Sequence, residues 1–183
     1  MVIGCWTIVT LLFAVASARA RLLRRGNEPF FQRDHRSLFG LLLQAIGIAI
    51  AANIRGSVPA PDEPWRLATA FLLAPLGAAL ASSGPLWLGR HLRGQAVVTE
   101  DHALITSGPY SIVRHPLYGG VLYLVAATGL VRASGFRLIV GVLVYCAGTE
   151  IRVLIEEALL SNRFPKALLD YKRRVKAYIP LVR

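Results

Sequence analysis

The sequence predicts an all-α integral membrane bundle of about five transmembrane helices, on three observations. Of the 183 residues, 55% are hydrophobic and 17% charged, against about 25% charged in an ordinary soluble domain. The apolar residues are gathered in long runs, and the mean hydropathy is +0.52, the pattern of segments that cross a bilayer. The 21 Lys and Arg residues flank those runs unevenly. On a soluble chain a net charge of +11 would invite a nucleic-acid reading. Here the cations lie beside apolar spans, where lipid headgroups sit, so the expected partners are membrane lipids and no nucleic acid.

The first span runs from Val2 to Ala18, about as long as a bilayer core requires. Ala16-Ser17-Ala18 has the small residues of a signal-peptide cleavage site. However, no basic residue precedes the run, and Arg19, Arg21, Arg24 and Arg25 follow it, the reverse of a signal peptide's charge order. Ser37 to Ile54 forms the second span. A proline-rich loop leads to the third, Trp65 to Trp87, where Pro75 predicts a kink of the kind bundles tolerate when neighbours re-satisfy the freed carbonyl. The fourth, from about Leu117 to Val131, is short for a crossing. A tight turn over residues 132–137 joins it to the fifth, which begins near Phe136. That helix reads apolar to Gly148 and then turns charged without a breaker, at Glu150, Arg152, Glu156 and Glu157, as a helix leaving the membrane would. The tail from Phe164 is basic and amphipathic.

The connections after spans one, three and five carry 17 of the Lys and Arg residues, and the other two carry 4. By the positive-inside bias this places the N-terminus outside and the C-terminus in the cytosol. A multi-pass chain this economical suits a prokaryotic inner membrane. The chain divides into residues 1–94, the first three helices, and residues 95–183, a core made of the central loop, helices four and five, and the tail.

Between spans three and four lies Asp101 to Gly120, polar, turn-rich and basic, with His102, Tyr110, Arg114, His115 and Tyr118. Gly108-Pro109 and His115-Pro116 break any helix there. A linker needs less side-chain chemistry than this. Cys5 and Cys146 lie in apolar runs with neither CxxC spacing nor a nearby histidine pair, so no disulfide framework and no metal site is expected. Arg152 and Glu156, four apart, share a helix face and can pair, with Glu157 next to that face. Because a short turn joins spans four and five, they are antiparallel neighbours, and residues 114–118 then sit beside residues 152–157.

Each piece has a plainer reading. Arg114 would be a headgroup anchor, His115-Pro116 a helix start, Tyr110 and Tyr118 interfacial belt residues, and Glu156-Glu157 a solvated helix end pairing with tail lysines. Together they read better as a site, since an anchor needs no carboxylates opposite it, and ionisable groups at membrane depth are costly. Such a site offers arginine and histidine to a carboxylate, glutamates to a cation or hydroxyls, and aromatic faces to a ring. It has no nucleophile beside a base, no GxGxxG and no phosphate loop. It favours a reaction that depends on positioning, and a zwitterionic cofactor with an adenine, a ribose and a sulfonium would fit it. A dinucleotide fits less well.

The stretch His102-x-Leu104-Ile105-Thr106-Ser107-Gly108-x-Tyr110, continued by Arg114-His115-Pro116-x-Tyr118-x-Gly120, resembles the signature of the isoprenylcysteine carboxyl methyltransferase family, kin to the membrane phospholipid methyltransferases. Downstream, Arg152-x3-Glu156-Glu157, Phe164, Tyr171 to Val175 and Ile179-Pro180 extend the likeness, which covers roughly Gln95 onward. The resemblance implies a methyltransferase using S-adenosyl-L-methionine. Its cofactor would be lined by Gln95, His102, Ala103, Leu104, Ile105, Tyr110, His115, Pro116, Leu117, Tyr118 and Glu156, with Glu157 beside them. Arg152 and Glu156 would be the catalytic pair, Arg152 facing a substrate carboxylate, and the tail from Phe164 would fold over the cofactor as a lid. The acceptor would be a lipophilic small molecule or lipidated substrate entering sideways from the membrane, with an isoprenylcysteine-like carboxylate as the expected group.

Other readings stand beside this one. An amine headgroup, as in a phospholipid N-methyltransferase, would also accept a methyl and would want Glu157 near it more than Arg152. A membrane steroid or enone reductase using NADPH shares the tyrosine-rich second half and the late Ile-Pro, but fits the Arg-His-Pro stretch poorly. A non-enzymatic membrane protein would use the loop only for packing or for a partner.

Overall fold

The computed structural model describes residues 1–23, 30–53, 63–92, 97–99 and 103–179. Among them lie six helices: α1 (Val2–Leu23), α2 (Ser37–Ala51), α3 (Pro64–Leu88), α4 (Pro116–Arg132), α5 (Gly135–Arg163) and α6 (Pro165–Arg174). The architecture is the expected all-α bundle. Three helices, α1, α3 and α5, are long and apolar enough to cross a membrane. At 15 and 17 residues, α2 and α4 are shorter, roughly 22 and 25 Å at 1.5 Å per residue. The third span is one helix carrying Pro75 and also Pro85 in its interior. The fifth runs 29 residues without a break, through its apolar part and into the charged part.

Packing pairs α3 with α4 and α2 with α5, with α1 laid on α3 and α4, and α5 against α4. Close approach of α2 and α5 depends on facing glycines: a Cβ on Gly47 would stand 2.7 Å from the Gly141 carbonyl oxygen, and one on Gly40 the same distance from that of Gly148. Small residues at such seams let helix backbones meet where lipid tails are as apolar as the side chains themselves. In contrast, α1 and α2, though consecutive, pack mainly on other helices. Cys5 is buried in the α1–α3–α4 core and Cys146 is half-buried, both as free thiols.

Two short strands, β1 (Phe30–Arg33) and β2 (Val97–Thr99), pair antiparallel. They follow α1 and α3, so those two connections lie on one face of the bundle, with the end of α5. On the opposite face, arginines close the helix ends. Arg66, 5% exposed, donates from Nε to the Leu130 carbonyl at 2.9 Å and from Nη2 to that of Ala133 at 2.6 Å. Arg132 Nε donates to Ala52 O at 2.9 Å, Asn53 Nδ2 donates to Arg132 O at 3.1 Å, and Arg137 donates to Asn53 Oδ1.

Candidate active site

The site forms where the start of α4 meets the end of α5. Because the turn between the two helices is only Ala133 and Ser134, they run back antiparallel, and Arg114 to Tyr118 fall opposite Arg152 to Glu157. Upstream, Gly108 at φ +61° starts a 3-10 turn, Gly108–Ser111, that brings Tyr110 inward. His115 is the residue before Pro116, which opens α4. Extended backbone is favoured there, and the imidazole does not cap the helix. It turns instead to α5.

Both ring nitrogens of His115 face carboxylates: Nδ1 is 3.5 Å from Glu156 Oε2, and Nε2 is 3.5 Å from Glu157 Oε1. Burial alone would favour the neutral ring, but the two glutamates outweigh it and hold the His115 pKa above the ordinary histidine value. Glu157 is a hub. Its Oε1 accepts from Arg114 Nε at 2.9 Å and Nη2 at 2.7 Å, and its Oε2 lies 2.6 Å from Lys172 Nζ on α6. Arg114 also donates to the Val175 carbonyl oxygen, so its fork is engaged at both ends.

Glu156 has different company. Tyr118 donates its hydroxyl proton to Glu156 Oε1 and accepts from Arg152 Nε at 2.8 Å, while Arg152 Nη2 reaches Glu156 Oε1 at 3.3 Å. The guanidinium stands 5.5 Å from the Tyr118 ring centre. Arg152 Nη1 has no hydrogen-bond partner among the described residues. Next to this group, Tyr145 donates to the Tyr118 carbonyl at 3.0 Å, and Gln44 of α2 donates from Nε2 to Thr149 Oγ1 at 2.9 Å.

The tail closes the arrangement. Arg114 N donates to Lys176 O at 2.8 Å and His115 N to Ala177 O at 2.7 Å, a short parallel bridge that ties residues 175–177 to the start of α4. The approach is so close that a Cβ on Gly119 would stand 2.2 Å from the Tyr178 carbonyl oxygen. From α6, Leu168 and Tyr171 face inward, and the Tyr171 hydroxyl donates to the Tyr110 carbonyl. Burial pushes the Tyr171 pKa up to about 12. Burial and then the Glu156 charge raise that of Tyr110 well above the usual phenol range. Both hydroxyls therefore stay protonated near neutrality.

Together these groups enclose a cavity of about 460 Å³, within the range of small-molecule and cofactor sites. Of the residues expected from the sequence, Ala103, Leu104, Ile105, Tyr110, His115, Pro116, Leu117, Tyr118, Arg152, Glu156 and Glu157 all line it. Gln95 and His102 lie outside the described residues. Sequence reasoning did not place Tyr171 or Leu168 individually, nor any wall from the first three helices: Trp6 and Phe13 of α1, and Leu41, Gln44, Ala45 and Ile48 of α2, also line the cavity. The one signal for that wall was Gln44, the single polar residue in the run from Leu38 to Ala52.

An all-α membrane bundle that buries paired ionisable groups at one end of a largely apolar cavity has the layout of a membrane enzyme. The family profile of the phospholipid methyltransferases matches residues 65–167, and the chain belongs to that family. It is 30% identical over 154 residues to a nickel-cobalt-cadmium resistance protein of Alcaligenes xylosoxydans xylosoxydans, covering 82% of this chain and 67% of that one. A cobalt-zinc-cadmium resistance protein of Cupriavidus metallidurans is 32% identical over 123 residues, 65% of this chain and 53% of its own length. Protein-S-isoprenylcysteine O-methyltransferase of Schizosaccharomyces pombe is 30% identical over 113 residues, 54% of this chain and 48% of its own. The chain thus spans about half to two thirds of the length of these relatives.

Proposed function

We propose that the protein is a membrane methyltransferase that uses S-adenosyl-L-methionine and esterifies the carboxylate of a lipophilic, isoprenylcysteine-like acceptor. The observation that carries this reading is the cavity itself, lined by charged and polar side chains where α4, α5 and α6 meet and by largely apolar ones from α1 and α2. Among the described residues, three cations, Arg114, Arg152 and Lys172, and the His115 imidazole surround two carboxylates, Glu156 and Glu157. The surplus suits ligands that bring carboxylates, and the Tyr110, His115 and Tyr171 rings suit a nucleoside. The cofactor, when bound, supplies a methyl on a positive sulfonium, so the O–CH3 bond forms as the S–CH3 bond breaks and its electron pair returns to sulfur.

What this chain's residues contribute is position and exclusion of water. Residues 95–183 hold the cofactor, with α6 and residues 175–179 as the lid, and residues 1–94 supply the acceptor's side of the cavity. Gln95 and His102 are proposed to bind the same cofactor on the strength of the resemblance alone. Arg152, through its unused Nη1, holds the acceptor carboxylate, and Glu156 fixes Arg152 through Tyr118. A carboxylate nucleophile needs no general base. The lipid tail reaches the site sideways between helices, along the wall that α1 and α2 give the cavity. Five spans with the N-terminus outside put the site at the cytosolic surface, as expected of a prokaryotic inner-membrane enzyme. The first two relatives are named for metal resistance, a name that specifies no reaction.

The test is calorimetric titration of the detergent-purified protein with S-adenosylhomocysteine, with NADPH in parallel. Micromolar binding of the first, lost in Glu156→Ala, is expected, and Arg152→Ala should abolish transfer to a carboxylate acceptor while leaving that binding largely intact. Binding of NADPH alone would turn the assignment to a reductase. Binding of neither would leave no enzyme reading in place.

A further inference from the structure

The helix that closes the cavity, α6, has two unlike sides. Leu168 and Tyr171 are buried against the site. Lys166, Leu169 and Arg173, spaced at i, i+3 and i+7, share a face turned away from it, and all three are exposed. Lys172 stands at the edge of that face: its Nζ is 2.6 Å from Glu157 Oε2, yet its side chain is 43% exposed. Over residues 165–176 the chain carries Lys166, Lys172, Arg173, Arg174 and Lys176 against a single acid, Asp170. Asp170 lies 3.8 Å from Arg173 Nη1 with both side chains exposed, a pair too solvated to neutralise the face. Among these cations Leu169 is 52% exposed. Cations around an outward leucine make the face of a helix that lies in a bilayer interface.

The level of α6 in the bundle agrees. α5 has 29 residues, about 43 Å at 1.5 Å per residue, against about 30 Å of hydrocarbon in a bilayer. Its last turns therefore stand among the headgroups, and α6 starts after Phe164 alone. From the far end of α6 the chain returns to the start of α4, where Lys176 O and Ala177 O accept from Arg114 N and His115 N. Both ends of the helix are held at headgroup level. Trp87 and Ile112, at the same end of the bundle, are also exposed, as interfacial side chains are. Closure gathers like charge there: Arg114 and Lys172 share one carboxylate, Glu157, with the other cations of α6 close by. Negative headgroups on the outer side would offset that repulsion.

We infer that the outward face of α6, with Lys166, Leu169, Arg173 and Lys176, binds anionic phospholipid headgroups at the mouth of the cavity, and that this contact holds the lid closed. The inference rests on the reading of the cavity as a cofactor site and adds its regulation: the cofactor is held more tightly where the surrounding bilayer is rich in negative lipid. Phosphate oxygens take the cations while Leu169 enters the acyl boundary. A soluble anion would meet the cations but leave Leu169 in water, so a bilayer is the occupant that fits the whole face.

The experiment measures the S-adenosylhomocysteine dissociation constant of the full-length protein in nanodiscs of phosphatidylcholine alone and of phosphatidylcholine with phosphatidylglycerol, at equal ionic strength. The expected result is binding about fivefold or more tighter in the anionic discs, a gain that shrinks as salt is raised. In the double variant Lys166→Gln with Arg173→Gln, the ratio between the two disc types should fall to one. Equal affinity of the wild-type protein in both discs overturns the inference and leaves the cofactor site standing. A gain that survives in the double variant removes α6 as the lipid surface. The same gain from inorganic phosphate added to phosphatidylcholine discs makes the face a general anion site and overturns the bilayer as its occupant. Binding in neither disc type overturns the cofactor reading and this inference with it.

Discussion

The two ends of the bundle use arginine in opposite ways. On the face where α4 ends, Arg66, Arg132 and Arg137 donate to backbone carbonyls and to Asn53. The carbonyls at a helix C-terminus are unsatisfied and carry partial negative charge, so these guanidiniums cap and tie helix ends. No carboxylate takes part among the described residues. On the face where α4 begins, Arg114 and Arg152 pair with side-chain carboxylates, and a cavity opens between them. A backbone acceptor is fixed by its helix, whereas carboxylates on side chains can share their lone pairs with a ligand. The first arrangement holds the fold and the second leaves a site.

The largest effect should come from Glu157→Gln, which weakens the contacts of Arg114, Lys172 and His115 at once. Breaking a buried ion pair from one side costs about 3–5 kcal/mol. The expected outcome is a loss of S-adenosylhomocysteine affinity by a hundredfold or more, read by calorimetry, with a lowered thermal midpoint. Retained affinity would remove the hub from the site. Next comes Arg66→Met at the other end, expected to cost about 1–3 kcal/mol of stability while cofactor affinity stays at the wild-type value in the folded fraction. A fall in affinity would break the division between the ends.

Smaller effects sharpen the contrast within the site. Tyr118→Phe removes the hydroxyl shared by Arg152 and Glu156, and about 1 kcal/mol should appear as a roughly fivefold rise in KM for the acceptor. A change confined to cofactor affinity would place Tyr118 with the cofactor alone. The smallest effect concerns pH. The folded-state pKa of His115 is raised, so its contribution to stability is full below the unfolded value near 6.5 and is lost as pH rises through the folded value. The thermal midpoint should decline by a few degrees on the alkaline side, and His115→Asn should flatten that decline.

The meeting of Arg114 to Tyr118 with Arg152 to Glu157 was legible because it needed only a tight turn and the spacing of Arg152 and Glu156 on one helix. The plainer readings were partly right in their contacts and wrong in their setting. Glu157 does pair with a tail lysine, Lys172, yet its side chain is 7% exposed rather than solvated. His115 does stand at a helix start, but its ring serves α5. The walls given by α1 and α2 were not legible, because an apolar span carries no mark of which face meets which neighbour. The seams that decide it are backbone contacts at glycines such as Gly47 and Gly141. The bridge from residues 113–115 to 176–177 was hidden for a similar reason, since backbone pairing of Arg114 with Lys176 and of His115 with Ala177, far apart in the chain, leaves no side-chain pattern.

That bridge sets an order on biogenesis. The backbone N–H groups of Arg114 and His115 emerge from the ribosome well before Lys176 and Ala177, the partners that satisfy them. All five apolar helices can be inserted and paired while the mouth of the cavity is still unsealed. A nascent chain halted after α5 would be a lodged but open bundle, and chains cut within residues 165–177 should accumulate in the membrane without retaining ligand. Quality control that samples only insertion would pass them.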